Sequence, residues 1–375
     1  MTRILFLILC FGFVAACDSG GGDVLNPPVE EDPDTDTPTD GETDPDATPI
    51  DSDRELPPGT AEPTPDSSIV RTEERTDDGG GFAENVRYLN DQGQDQFVVD
   101  NLAFDGDNVY ERGTAVSQLA GFGVYEGAES TVDPDTGNVL GTFQYRAVYG
   151  RSRTGQTEFA IVRTGSYIDY GFGGFVYQRN STDFNGDPVR LVLPEDGDAQ
   201  YVGEYAGIRI FDGQSGLEYV SGEAELFLDF KDFNNGQRGV ALFVRDRRLF
   251  DVNGNDITND YLAAIGADNG GASGDGAPSR NLIILTDDAG NPVLPNLASI
   301  VSPTNADTNG EITGDIAERA RFDDGSIVTT AEGTYFGIVS GTDASEIVGV
   351  LVIEGGDPRN DSTVQESGGF IIYRQ

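Results

Sequence analysis

Gly222-Glu223-Ala224-Glu225-Leu226-Phe227-Leu228-Asp229-Phe230 alternates residue by residue: Ala224, Leu226, Leu228 and Phe230 share one face, with Glu223, Glu225 and Asp229 opposite. A period of two with one apolar and one charged face is the pattern of a strand laid against a core. Val240, Leu242 and Val244 repeat it against Arg245. Working outward, strands are predicted over 200–211, 217–230, 238–247, 281–286, 311–322, 327–339, 346–353 and 368–374. Eight sided antiparallel strands leave two unpaired edges unless the sheet closes. The chain from 199 to 375 is therefore read as an eight-stranded up-and-down β-barrel. At that size the interior is filled by side chains or holds one small ligand.

Two connections, 248–280 and 287–310, are far longer than a hairpin needs, and such loops tend to be functional or unstructured. The first contains Asn259-Asp260-Tyr261-Leu262-Ala263-Ala264-Ile265, a capped apolar segment suited to one or two helical turns; the second carries Val293, Leu294, Pro295, Leu297, Ile300 and Val301. These residues either cover a barrel end or form a contact surface. On the second alternative Tyr261, Leu262, Ile265 and Leu294, with Arg247 and Arg248, are the candidate ligand-binding residues. Arg245, Arg247 and Arg248 form the densest basic cluster of the barrel, which either grips an anion or is paired by the abundant carboxylates.

Upstream, 68–198 changes texture, with strands predicted over 85–89, 96–104, 121–126, 139–150, 158–168, 173–178 and 189–193. Their uneven lengths suggest a smaller antiparallel sheet domain. Gly171, Gly173 and Gly174 around Phe172 mark a bend or bulge closely approached by other backbone. Residues 18–67 hold 16 acidic residues, Arg54 as the one base, ten prolines and no aromatic, a composition that cannot bury enough apolar surface to offset ordering. They are read as a disordered acidic linker, about 40 Å long as a coil and up to about 150 Å when extended. At the front, Arg3 precedes an apolar run over 4–13 that is too short to span a bilayer and fits a secretory signal.

Composition removes whole classes of function. A net charge of −43 excludes a nucleic-acid partner, which needs a concentrated basic surface. The chain has no histidine, and its two cysteines are Cys10 and Cys17. A Ser-His-Asp triad, a Cys-His pair and a histidine-containing zinc site are thus impossible, and chemistry would have to run on carboxylates, tyrosine or Lys231. Asp251, Asn253 and Asn255, like Asp183, Asn185 and Asp187, match the first positions of a calcium loop but lack its later Gly and Glu, and read as turns. The adjacent pairs Asp287-Asp288 and Asp323-Asp324 also read as turn residues, since glycosidase carboxylates sit about 5–9 Å apart across a cleft. No catalytic residue, metal or cofactor is expected.

Two resemblances complete the reading. Val14-Ala15-Ala16-Cys17 resembles the lipobox of bacterial lipoproteins, which implies cleavage before Cys17, its lipidation and attachment to a membrane; ordinary secretory cleavage with Cys17 incidental is the alternative. Glu204-Tyr205-Ala206-Gly207, the 222–230 strand, Gly333-Thr334-Tyr335-Phe336-Gly337, Glu346-Ile347-Val348-Gly349 and Gly369-Phe370-Ile371-Ile372-Tyr373-Arg374 resemble, in order and rough spacing, the barrel domain of transferrin-binding protein B lipoproteins. That resemblance implies an all-β barrel packed on a β-rich handle formed by 68–198. It also implies a surface-exposed outer-membrane lipoprotein of a Gram-negative bacterium that captures an extracellular protein or iron-carrier ligand, with an outer-membrane channel as a further partner. The chain departs in having one handle-plus-barrel lobe where the full receptors have two, and in Val350 and Ile372-Tyr373 within the late motifs. Its long loops match no host-binding loop of the family. An envelope structural or assembly lipoprotein with no soluble ligand is the alternative function.

Overall fold

The computed structural model describes residues 56–74, 81–89, 95–102, 108–127, 144–165, 170–233, 239–268, 280–300, 305–360 and 362–375. Cys17, the lipobox and most of the acidic linker lie outside the described residues. Both sheets belong to one compact unit, Thr48–Gln375.

The first sheet contains β1 (Ile69–Thr72), β2 (Gly81–Leu89), β3 (Gln96–Leu102), β4 (Val109–Arg112), β5 (Gln118–Leu119), β6 (Phe122–Gly127), β7 (Arg146–Arg151), β8 (Thr157–Arg163) and β9 (Gly173–Arg179). Its order is β1-β9-β8-β7-β6-β4-β3-β2, with β5 beside β6, and every pairing is antiparallel. This curled sheet forms where the resemblance implies a handle, and is called the handle. At Gly173 the predicted close approach is present: φ is +141° and a Cβ there would stand 1.9 Å from the Val162 carbonyl oxygen.

The second assembly contains β10 (Asp198–Phe211), β11 (Leu217–Asp229), β12 (Val240–Phe250), α1 (Thr258–Asp268), β13 (Leu285–Thr286), β14 (Pro292–Val293), β15 (Leu297–Ser299), β16 (Asn305–Ala306), β17 (Glu311–Arg321), β18 (Ile327–Ser340), β19 (Glu346–Gly356) and β20 (Thr363–Arg374). Strands β10, β11, β12, β15, β17, β18, β19 and β20 form the closed eight-stranded barrel, because β20 pairs with β10 while β15 pairs with both β12 and β17. The alternation at 222–230 puts Ala224, Leu226, Leu228 and Phe230 in the barrel interior.

Three expectations need correction. The predicted barrel strand over 281–286 does not form: Leu282 makes only an isolated bridge to Phe322 beyond the end of β17, Leu285 and Thr286 form a two-stranded ribbon with β14, and the eighth strand is the three-residue β15. Within that span Ile283 and Ile284 are 46% and 51% exposed. The run 189–193 forms no strand, making only an isolated bridge from Val192 to Thr342. Finally, residues 56–67, assigned to the linker, run along the handle, where Thr60 donates to the Val70 carbonyl and Leu191 to the Pro65 carbonyl.

Which outer wall of the barrel is covered follows from the strand sequences. In β19, Ile347, Leu351 and Ile353 point inward while Val348 and Val350 point outward, so both faces are apolar. In β20, Phe370 and Ile372 face in and Ile371 faces out. The outer wall of β10, β20 and β19 therefore needs a cover, and the handle supplies Phe122, Phe159, Ile161, Phe175 and Tyr177. Burial of each such side chain contributes about 1.5–3 kcal/mol. Contact is close enough that a Cβ at Gly369 would lie 2.2 Å from the Phe159 ring. Buried polar clasps fix the docking angle. Arg71 donates twice to Glu311 (2.6 and 2.8 Å), Thr157 and Thr154 donate to the buried Glu346 (2.7 and 2.6 Å), and Arg163 donates to Ser367 (2.7 Å). Arg179, fully buried, donates to the carbonyls of Thr64, Ser67, Asn309 and Val339, tying the 56–67 segment to a barrel tip.

Candidate functional site

At one barrel end, β12 leads into α1. The Asp256 carboxylate accepts from Thr258 N and the Thr258 hydroxyl from Leu249 N, both at 2.9 Å, which fixes the start of the helix. Tyr261, Leu262 and Ile265 then turn into the barrel and are 2–4% exposed. The Tyr261 ring lies between the guanidiniums of Arg209 (4.5 Å) and Arg359 (5.1 Å), and burial pushes its hydroxyl up to about 12.

Beneath the helix lies an ionic layer. Arg247 donates to Glu318 (2.5 Å), Glu366 (2.6 Å) and the Pro295 carbonyl (3.1 Å). Glu366 also accepts from the Tyr205 hydroxyl (2.7 Å), and Glu318 from Thr330 (2.6 Å). Arg209 and Arg359 meet Glu218, and Arg359 also meets Asp357. Each of these four carboxylates faces a guanidinium, so the layer is a structural plug rather than a reactive centre.

This arrangement locates the candidate contact residues. Tyr261, Leu262, Ile265 and Leu294 are buried cover residues of the barrel end, and Arg247 belongs to the ionic layer. Burial leaves Tyr261, Ile265, Leu294 and Arg247 no outward contact surface, whereas Leu262, though 3% exposed, lines a notch in the barrel wall. Arg248 is half-buried and paired with Asp256, and Arg245 is paired with Glu225. Each arginine of the basic cluster is thus paired with a carboxylate. Asp251 likewise closes its own turn, accepting from the backbone N of Asn253 and Asn255, both at 2.8 Å. Among the described residues no group of three His, Cys, Asp or Glu could hold a metal ion.

A groove that sequence reasoning did not assemble lies in the crease between handle and barrel. Its cavity of about 350 Å³ is lined by Tyr88, Tyr125, Tyr149 and Tyr373, by Arg112, Arg151 and Arg153, and by Gly121, Gly123, Gly150 and Gly203. Tyr88 stacks on Tyr149 at 5.5 Å. The Tyr125 hydroxyl donates to Asp95 (2.8 Å) and that of Tyr149 to Glu158 (2.5 Å), which anchors the rings; burial and those carboxylates push both hydroxyls well above the ordinary range. Arg153 lies over the Tyr373 ring at 4.6 Å, and among the described residues it has no carboxylate partner. Exposed Glu204 completes the rim. Fixed aromatic faces beside an unpaired guanidinium are contact chemistry, suited to recognition. The lining comes from β2, β4, β6, β7, β10 and β20 and the turns beside them, so no local motif announces it.

No protein-family model and no curated protein matches the chain. Solved structures do. Transferrin-binding protein B of Haemophilus parasuis, as a double mutant, matches at 13% identity over 75% of this chain and 40% of that one, with a TM-score of 0.31. The intact Ap-TbpB, with N and C lobes, matches at 14% identity over 62% and 36%, TM-score 0.27. The isotype 1 protein of serogroup B Neisseria meningitidis matches at 11% identity over 77% and 52%, TM-score 0.26. These are structures of the family that the barrel motifs resemble. The present chain spans about two fifths of the Haemophilus structure.

Proposed function

We propose that this chain is a non-enzymatic binding protein, held to the outer membrane through lipid on Cys17 and exposed at the cell surface, which captures an extracellular protein ligand in the crease between handle and barrel. The observation that supports capture is the crease itself, where anchored tyrosines and the unpaired Arg153 line one concave surface built on two sheets. Tyrosine and arginine are the side chains that dominate binding hot spots. Anchoring rests on the Val14-Ala15-Ala16-Cys17 resemblance, and the acidic stretch behind it would hold the domain away from the bilayer.

The test uses intact cells that produce the full chain, with labelled transferrin as the first probe because the sequence resemblance implies an iron carrier. Protease should remove the barrel from intact cells, Cys17→Ser should release the protein from the membrane, and Arg153→Glu with Tyr373→Ala should lower probe capture. A barrel protected until the envelope is opened would instead favour the envelope-assembly reading. Exposure without capture would retain the location and reject transferrin as the ligand.

A further inference from the structure

A second groove lies on another wall of the barrel and has a different chemistry. Strand β15 is three residues long and pairs with β12 only at Phe243 and Val244, and with β17 only over Ile316 to Glu318. Beyond it the wall between β12 and β17 is bridged by irregular chain, with Leu294 N donating to the Arg247 carbonyl and Ile283 N to the Arg321 carbonyl. The short strand leaves a notch of about 240 Å³. Its apolar lining includes Phe243, Ile283, Leu285, Val293 and Pro295, and its basic lining is Arg245, Arg319 and Arg321.

Arg319 and Arg321 are exposed, and among the described residues neither guanidinium has an ion pair, hydrogen bond or ring contact. In a chain with 66 acidic and 23 basic residues that is unexpected. The reason is local. Their partners across β18 are Thr329 and Ile327, so no carboxylate stands opposite, while neighbouring Arg245 is matched by Glu225. We infer that the notch binds a small amphiphile with one anionic head, met by Arg319 and Arg321, and a short apolar tail laid against Phe243, Leu285, Val293 and Pro295. Two guanidinium forks suit a carboxylate or phosphate head. The net charge of −43 opposes anions at long range, but at physiological salt that field decays over about 8 Å, so contact groups decide binding of one small anion. The same charge disfavours an anionic bilayer, where many phosphates approach together. The inference is independent of capture in the crease.

The test is calorimetric titration of the full chain carrying Cys17→Ser, so that no attached acyl group competes, with sodium decanoate below its micelle concentration. Saturable one-site binding is expected, weakened roughly tenfold or more by Arg319→Ser with Arg321→Ser. Acetate, which lacks the tail, and decanol, which lacks the charge, should each bind roughly tenfold more weakly or worse. Phe243→Ala, which leaves both arginines, is the second variant and should weaken decanoate if the serine pair does not fold. Equal binding of decanol and decanoate, or unchanged decanoate binding by a folded serine variant, would overturn the assignment. So would co-sedimentation with phosphatidylglycerol vesicles in the absence of saturable decanoate binding.

Discussion

The barrel has two contrasting walls. Across β10, β20 and β19 the outward residues include Ala206, Ile208, Ile210, Val348, Val350 and Ile371, the strands are 11 to 14 residues long and the handle covers that apolar set. Across β12, β15 and β17 the outward positions include Arg245, Arg319 and Arg321, one strand has three residues, and the surface is open. Both walls share one interior of alternating apolar residues. Closure is therefore fixed by the inward half of each strand, and the outward half decides whether a wall becomes an interface or a groove.

Substitutions on each wall test this contrast. The largest effect is expected from Arg71→Ala, which strands the buried Glu311 carboxylate at the handle clasp; urea unfolding should show a loss of about 3–5 kcal/mol. A loss near zero would mean that handle docking does not rest on the clasp. Gly369→Val drives side-chain atoms into the Phe159 ring and should cost about 1–3 kcal/mol by the same measurement, with no comparable loss for a valine at the exposed, uncrowded Gly290 tip beyond its backbone strain.

Acid provides a third test. Burial alone would raise the Asp357 carboxyl, but the hydrogen bonds and charge of Arg359 hold it below the ordinary value. A depressed folded pKa contributes stability that is present above the unfolded value, about 3.9, and is lost as pH falls through the lower folded value. The Asp357→Asn variant should therefore be less stable at neutral pH and lose less stability on acidification below about pH 4. Parallel acid curves for variant and wild type would reject this role. The smallest effect belongs to the open wall: Arg319→Ser with Arg321→Ser should change stability by no more than about 0.5 kcal/mol, because both side chains are exposed and unpaired.

The legible part of the fold is where alternation runs long. Strands β10, β11, β17 and β18 match their predicted spans to within two residues at each end, whereas β19, apolar on both faces, and β20, predicted only over its last seven residues, extend beyond theirs. The eighth strand was misplaced since three residues of β15 carry too little pattern, while Ile283-Ile284 imitates a buried pair at the surface. Strand β1 was missed because its four residues follow a proline-rich acidic run. Of the candidate contacts, the apolar loop residues were recognisable as important, but burial and contact have the same composition, and only the fold separates them. The notch had a readable signal: Arg319 and Arg321 share a strand face while Glu318 and Ala320 occupy the other. The crease had none, since Tyr88 and Tyr373 meet only after both sheets are complete.

One pairing has a consequence for how the molecule is made. Apart from the seam between β10 and β20, the barrel strands pair with the neighbours that precede or follow them around the wall, but that seam joins Tyr201 to Arg374. It must wait for β20 to leave the ribosome, and loop-closure entropy makes such a distant pairing slow. Because β20 also presents Ile371 to the handle, the nascent chain holds an open barrel and an incompletely covered handle face until β20 has been made. Assembly timing is thus concentrated in one segment, and a chaperone acting on this protein would have its longest task there.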